Sequence, residues 1–125
     1  MRAGALIAVA VGGLVGAAVR WAMIEAIPVG SLHWGLLVAN AVGSGIFGYL
    51  LGRPGRLDEF SSDLHLGATT GFCGSLTTMS GFSVVTADSL RDGHLAEATA
   101  FTALALVSAL GAAWSARKLR GLVAT

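Results

Sequence analysis

The sequence predicts an all-α membrane protein with four transmembrane helices, and three observations carry that prediction. Of its 125 residues, 54% are hydrophobic and 12% are charged, too little polar surface to cover a soluble domain. The eight Lys and Arg and seven Asp and Glu gather into short clusters separated by long neutral tracts. Four tracts, at approximately 3–27, 32–51, 66–87 and 98–116, have roughly the 17 to 25 residues a helix needs to cross about 30 Å of hydrocarbon. The links between them leave no room for a soluble domain, so residues 1–125 are expected to form a single four-helix transmembrane domain.

In the first tract Arg2 precedes an apolar run, the opening of an export signal. The run is too long for a typical signal core, and Arg20 falls where a cleavage site wants small neutral residues, so a span is expected instead. Its "GGLVG" has no lysine of a phosphate-binding loop and follows no predicted strand, which argues against a nucleotide site. The second tract holds Asn40 within "LLVANAVGSG". An amide in hydrocarbon demands partners, so Asn40 either bridges helices or faces a polar path.

The third tract is the unusual one. Gly67, Gly71, Gly74 and Gly81 alternate with seven hydroxyl residues, most of them in "GFCGSLTTMSGFS" (71–83). So many helix-weakening residues predict a helix broken mid-membrane, which is tolerated where the freed backbone is buried in protein or lines a polar cavity. Freed carbonyls suit a hard cation, and freed amides and hydroxyls suit an anion. The fourth tract has no comparable motif. Across the tracts, Gly12 and Gly16, Gly48 and Gly52, and Gly67 and Gly71 form GxxxG pairs that let helices approach closely.

Other chemistry is sparse. Cys73 is the only cysteine, so no disulfide can form within the chain. His33, His65 and His94 lie at predicted helix edges in three different loops, with no i, i+4 pair and no adjacent carboxylate arrangement such as HExxH, so neither ligation nor general-base work is expected of them. No nucleophile and base pair supports catalysis, and no nucleic-acid partner is expected. Four short helices enclose little, so a transport path predicts at least a dimer. Six cations (Arg2, Arg53, Arg56, Arg117, Lys118, Arg120) fall on the side of both termini. Arg91, with Arg20 if it snorkels outward, falls on the other, which predicts cytoplasmic termini in an inner or plasma membrane.

"GGLVGAAVRW", "VANAVGS" and "GFCGSLTTMSGFS", in this order and spacing, resemble the CrcB/Fluc fluoride channel family over essentially the whole chain. The resemblance implies an antiparallel dimer with two fluoride pores and a structural sodium ion where the broken helices cross. It also implies a role in resistance: hydrogen fluoride enters as a neutral acid, dissociates in the cytoplasm, and the trapped anion leaves through the channel. By resemblance, the backbone carbonyls of Gly74 and Thr77 would hold sodium and Asn40 would donate to the anion. Arg20 would sit in an aqueous vestibule, Phe82 would offer its ring edge, and Thr78, Met79 and Ser80 would complete the anion path.

The chain departs from that pattern. Where the family has a motif like TTFSTFS, this chain reads "TTMSGFS", with Met79 for a phenylalanine and Gly81 for a threonine. An expected threonine is Leu36, an expected glutamate is Val85, and a tyrosine and serine of the fourth span fall at Phe101 and Ala105, unless Thr102 or Ser108 carries that polar track. These losses, together with the one-sided charge, predict half of a heterodimer whose homologous partner inserts the opposite way, with one pore competent and the other degraded. Two alternatives stand beside this: a non-conducting structural subunit of such a channel, and a small multidrug-type proton-coupled exporter. The second needs a carboxylate deep in the membrane, and Glu25, the sole candidate, lies at the end of its span next to Pro28.

Overall fold

The computed structural model describes residues 3–28, 30, 32–52 and 62–123. Arg2, Arg53 and Arg56, half of the six cations counted above, lie outside the described residues, as does most of the charged link at 53–61. The described residues are helical nearly throughout and contain no strand. Among the described residues, three helices are long and apolar enough to cross a membrane: α1 (Ala3–Ala26), α2 (Trp34–Leu51) and α6 (Leu95–Val123).

The third tract makes its passage in pieces. It begins with α3 (Asp63–Leu66), continues through a π-helical segment (Gly67–Cys73) into α4 (Gly74–Leu76), and resumes after a break as α5 (Met79–Arg91). The four, seven and three residues before the break and the 13 after it each reach only about 20 Å, so neither half crosses alone.

The break does not fall on a glycine. Gly67 and Gly74 both have right-handed helical backbones. Their helix opens instead at Thr77 (φ −84°, ψ 151°) and Thr78 (φ −146°, ψ 120°), both extended, a conformation that β-branched side chains favour. Gly67 and Gly71 serve packing. A Cβ on Gly67 would stand 2.7 Å from the Ala8 carbonyl oxygen, and one on Gly71 2.5 Å from that of Val9. From the α1 side, a Cβ on Gly12 or Gly16 would collide with the carbonyl of Gly67 or Phe72. The wider π-helical turn, with Thr69 Oγ1 donating to the His65 carbonyl at 2.7 Å, lies along this backbone-to-backbone seam.

The contacts set the topology. Gly4 meets Asp63, Gly12 meets Gly67, and Gly16 meets Phe72, so α1 and the third tract run in the same direction. Gly45 lies against Ala112, Gly48 abuts Ala113 and Gly52 abuts Arg117, so α2 and α6 run in the same direction, opposite to α1 and the third tract. Residue 3 and the end of α6 therefore share one end of the bundle. The α1–α2 and α5–α6 turns share the other.

The fourth helix extends beyond the expected 98–116 at both ends. Hydropathy marks the apolar stretch, whereas the helix also admits charges that suit its dipole: Glu97 in the first turn and Arg120 in the last. Arg120 also donates to the carbonyls of Tyr49 (2.8 Å) and Leu50 (3.3 Å), satisfying the exposed end of α2.

Candidate functional site

Breaking a helix at membrane depth leaves backbone groups that need partners. On the α4 side, the Thr77 N–H and Oγ1 both donate to the Cys73 carbonyl, at 3.0 and 2.9 Å. On the α5 side, Thr78 acts as N-cap: its Oγ1 accepts from the Gly81 N–H at 3.1 Å and lies 3.0 Å from Ser80 Oγ. The backbone of Thr78 itself is met by Asn40. Asn40 Oδ1 accepts from the Thr78 N–H at 2.8 Å, and Nδ2 donates to the Thr78 carbonyl at 3.5 Å. Arg20 Nη1 donates to the Thr77 carbonyl at 3.4 Å, so Arg20 points into the bundle rather than snorkelling outward.

Asn40 thus stands in for a missing peptide group. The Thr78 N–H fixes which end of the amide is oxygen, and the NH₂ group carries two hydrogens. One faces the Thr78 carbonyl at the long limit of a hydrogen bond, which leaves donor capacity for a ligand. The two readings of Asn40 are therefore compatible: it bridges α2 to the break and still borders a cavity.

Two cavities flank the break and share Thr78 as wall. One, of about 450 Å³, is lined by Arg20, His33, Leu36, Ser80 and Val85. The other, of about 240 Å³, is lined by Asn40, Ser44, Met79, Phe82 and Ala105. The residues expected on an anion path are thus divided, with Arg20 and Ser80 in the first and Asn40, Met79 and Phe82 in the second. Met79 is 74% exposed. The Phe82 ring stacks on Phe101, centroids 5.7 Å apart at 19°. One face is taken, and the electropositive edge is the part that suits an anion.

Between the cavities lies an apolar cluster of Leu36, Leu37, Phe101 and Ala105, with Phe82 and Val85 packed against it. Leu36, Val85, Phe101 and Ala105 are four of the departures from the family pattern, so those departures form one contiguous body. Gly81 is tied to it. A Cβ there would stand 3.2 Å from Leu36 Cδ1 and 3.0 Å from Thr78 Cγ2, so Leu36 fills the space that a side chain at position 81 would need.

No group of three or more His, Cys, Asp or Glu able to hold a metal occurs among the described residues. The donors near the break are carbonyls. Gly74 is exposed, with no atom within 4 Å of where a Cβ would stand, and it borders a groove of about 420 Å³ shared with Thr69, Thr70 and Thr77. Sequence reasoning missed His33 and Ser44 as cavity residues. A lone imidazole before a helix and one more serine in a small-residue span carry no signal of their own.

The family model described as CrcB-like protein, Camphor Resistance (CrcB), matches residues 7–117. A "Fluoride-specific ion channel FluC" of Bordetella pertussis is 36% identical over 104 residues, covering 83% of this chain and 81% of that protein. Another of that name from Geobacter sulfurreducens is 34% identical over 121 residues, 91% of this chain and 98% of its own length. "Fluoride-specific ion channel FluC 1" of Yersinia pestis is 40% identical over 93 residues, 73% of each chain. With a broken third passage, an asparagine bridging the break and a family match from the first helix to the last, this chain belongs to the CrcB family.

Proposed function

We propose that this chain is one subunit of a passive, fluoride-selective channel that lets cytoplasmic fluoride leave the cell and so relieves its toxicity. The names of its relatives support that substrate, and they describe channels rather than enzymes. The observation that carries the reading is the Asn40 bridge. A half-buried amide held by the Thr78 backbone keeps donor capacity beside the Phe82 ring, in a cavity that both of them line. Export needs no pump, because moving one negative charge outward through an inside-negative potential is favourable by about 2.3 kcal/mol per 100 mV.

The break also suits a cation. Carbonyl oxygens are the donors a hard ion takes, and the Gly74 and Thr77 carbonyls are the pair this chain would offer to sodium. Two oxygens are fewer than such an ion needs. Open space at Gly74 supports a second, antiparallel subunit supplying the rest.

Charge supports a partner of a different sequence. Arg20 is turned inward toward Thr77, which leaves Arg91 as the cation on the side opposite the termini, against six on theirs in the sequence. A chain so biased inserts one way, with both termini cytoplasmic, in an inner or plasma membrane. A homologue with the reverse bias would complete the dimer. The apolar cluster at the departed positions supports one competent pore rather than two. It equally favours a second reading, a structural subunit that conducts nothing itself.

Fluoride efflux from proteoliposomes, with chloride as control anion, decides among these. The expected result is silence from this chain alone and fluoride-selective efflux when it is co-expressed with an oppositely biased homologue. Efflux from the chain alone would overturn the heterodimer. If efflux with the partner also survives Asn40→Ala, this chain is only a scaffold.

A further inference from the structure

The cavity that holds Arg20 contains a second ionisable side chain that the family pattern does not mark. His33 immediately precedes α2, in a left-handed backbone conformation (φ 45°, ψ 54°). Its ring packs edge-on against Phe101, centroids 6.2 Å apart at 68°. Its Nδ1 is buried and has no hydrogen-bond partner among the described residues. Arg20, Thr78 and Ser80 share the cavity wall with it.

We propose that His33, once protonated, acts with Arg20 as the anion-attracting pair of this cavity, so that fluoride entry at the mouth opposite the termini strengthens as pH falls. This rests on reading the chain as a fluoride-channel subunit, and it adds a pH-dependent element to that reading.

Three observations carry it. First, the His33 ring lines the same cavity as Arg20, so protonation adds a second positive charge to that wall and acts on an anion through its field, since Nδ1 itself is buried. Second, among the described residues no carboxylate lines the cavity, so none of them neutralises the new charge in place. On α1 the cavity's titratable group is Arg20, with Glu25 exposed at that helix's end. α5 contributes Thr78 and Ser80, the hydroxyls at its N-terminus, and one turn beyond Val84 and Val85, at the end of the bundle that holds His33, its Asp88 is exposed and lies 3.9 Å from Arg91. On the α6 side, His94 and Glu97 pair with each other at 3.7 Å, about half exposed. Third, two cations in one cavity repel until an anion enters between them, so anion binding and protonation of His33 favour each other. By linkage, fluoride must raise the midpoint of His33 as much as protonation tightens fluoride. The added affinity is present below the imidazole midpoint and lost as pH rises through it.

The test uses the full chain with its partner homologue in detergent. The ring protons of the three histidines are titrated by NMR in sodium fluoride and in sodium chloride, and His33→Gln assigns the resonance. The expected result is an upward displacement of the His33 midpoint in fluoride alone, with His65 and His94 unmoved. Fluoride binding should be on the order of fivefold tighter at about pH 5.5 than at about pH 7.5. That difference should vanish in His33→Gln, and His33→Lys, cationic throughout, should keep the tight value at both. Superimposable titrations, or a pH dependence that survives both substitutions, overturn the role of His33 while leaving the channel reading intact. Absence of fluoride binding at every pH overturns both.

Discussion

At Asn40 one side chain performs two tasks that substitution can separate. Asn40→Ala leaves the Thr78 N–H without its 2.8 Å acceptor, a loss of about 1–3 kcal/mol that thermal unfolding in detergent would register as a lower midpoint. Asn40→Asp keeps an acceptor for that N–H but removes the amide donor. It is expected to unfold at a higher temperature than Asn40→Ala while losing fluoride efflux as completely. Equal efflux in Asn40→Asp and the native chain would remove the amide from the anion path. A second separable pair is Leu36 and Gly81. Gly81→Thr alone pushes a side chain into Leu36 and Thr78, costing about 1–3 kcal/mol. With Leu36→Thr beside it, that cost should fall, because the two sites share one space. A double-mutant cycle on unfolding should give a coupling of about 0.5–3 kcal/mol; strict additivity would mean that the two positions changed independently. This packing was not legible in the sequence. The motif comparison marks Leu36 and Gly81 as separate losses, and only the fold puts Leu36 3.2 Å from where a Cβ at position 81 would stand.

Among the elements, legibility follows what each boundary depends on. The α1 and α2 tracts are delimited by hydrophobicity and by the short turn between them, and composition reports both. The fourth helix is set partly by charges that stabilise its ends, which an apolar window cannot see. In the third tract, glycine content signals a broken helix, yet Gly67 and Gly71 are spent on the seam with α1, and the opening falls on two threonines whose partners come from α1 and α2. The π-helical turn had no sequence signal, since it depends on how closely α1 approaches. A contrast between glycines tests this division of roles. Gly16→Ala and Gly71→Ala each place a methyl against a neighbouring backbone and should destabilise by about 1–3 kcal/mol. Gly111→Ala, with nothing within 4 Å of its Cβ, should be neutral or should stabilise α6 by up to about 1 kcal/mol. Equal effects at all three, measured by thermal unfolding, would mean that α1 and the third tract do not pack through their backbones.

For the whole molecule, the question is whether the path inside this chain is closed by its own core. Leu36, Leu37, Phe101 and Ala105 pack as one body between the two cavities, with Phe101 only 1% exposed. An anion passing from the Arg20 side to the Asn40 side of the same chain would have to displace it. Packed apolar side chains offer a bare anion nothing in exchange for its hydration, so such a body acts as a seal. The seal also stabilises the fold, which sets two consequences of opening it against each other. Combining Leu36→Thr, Phe101→Tyr and Ala105→Ser returns polar groups to the body. Each buried hydroxyl that finds no partner costs about 1–3 kcal/mol, so the triple variant should unfold at a lower temperature than the native chain. If the cluster is all that closes the path, fluoride efflux per dimer, assayed with the oppositely inserted partner, should rise toward twice the single-path rate. Selectivity over chloride should hold, because Asn40 and Phe82 are untouched. A variant that assembles with the partner, binds fluoride and conducts no faster would place the closure elsewhere, with Met79 next in line because it is exposed at the mouth of the Asn40 cavity.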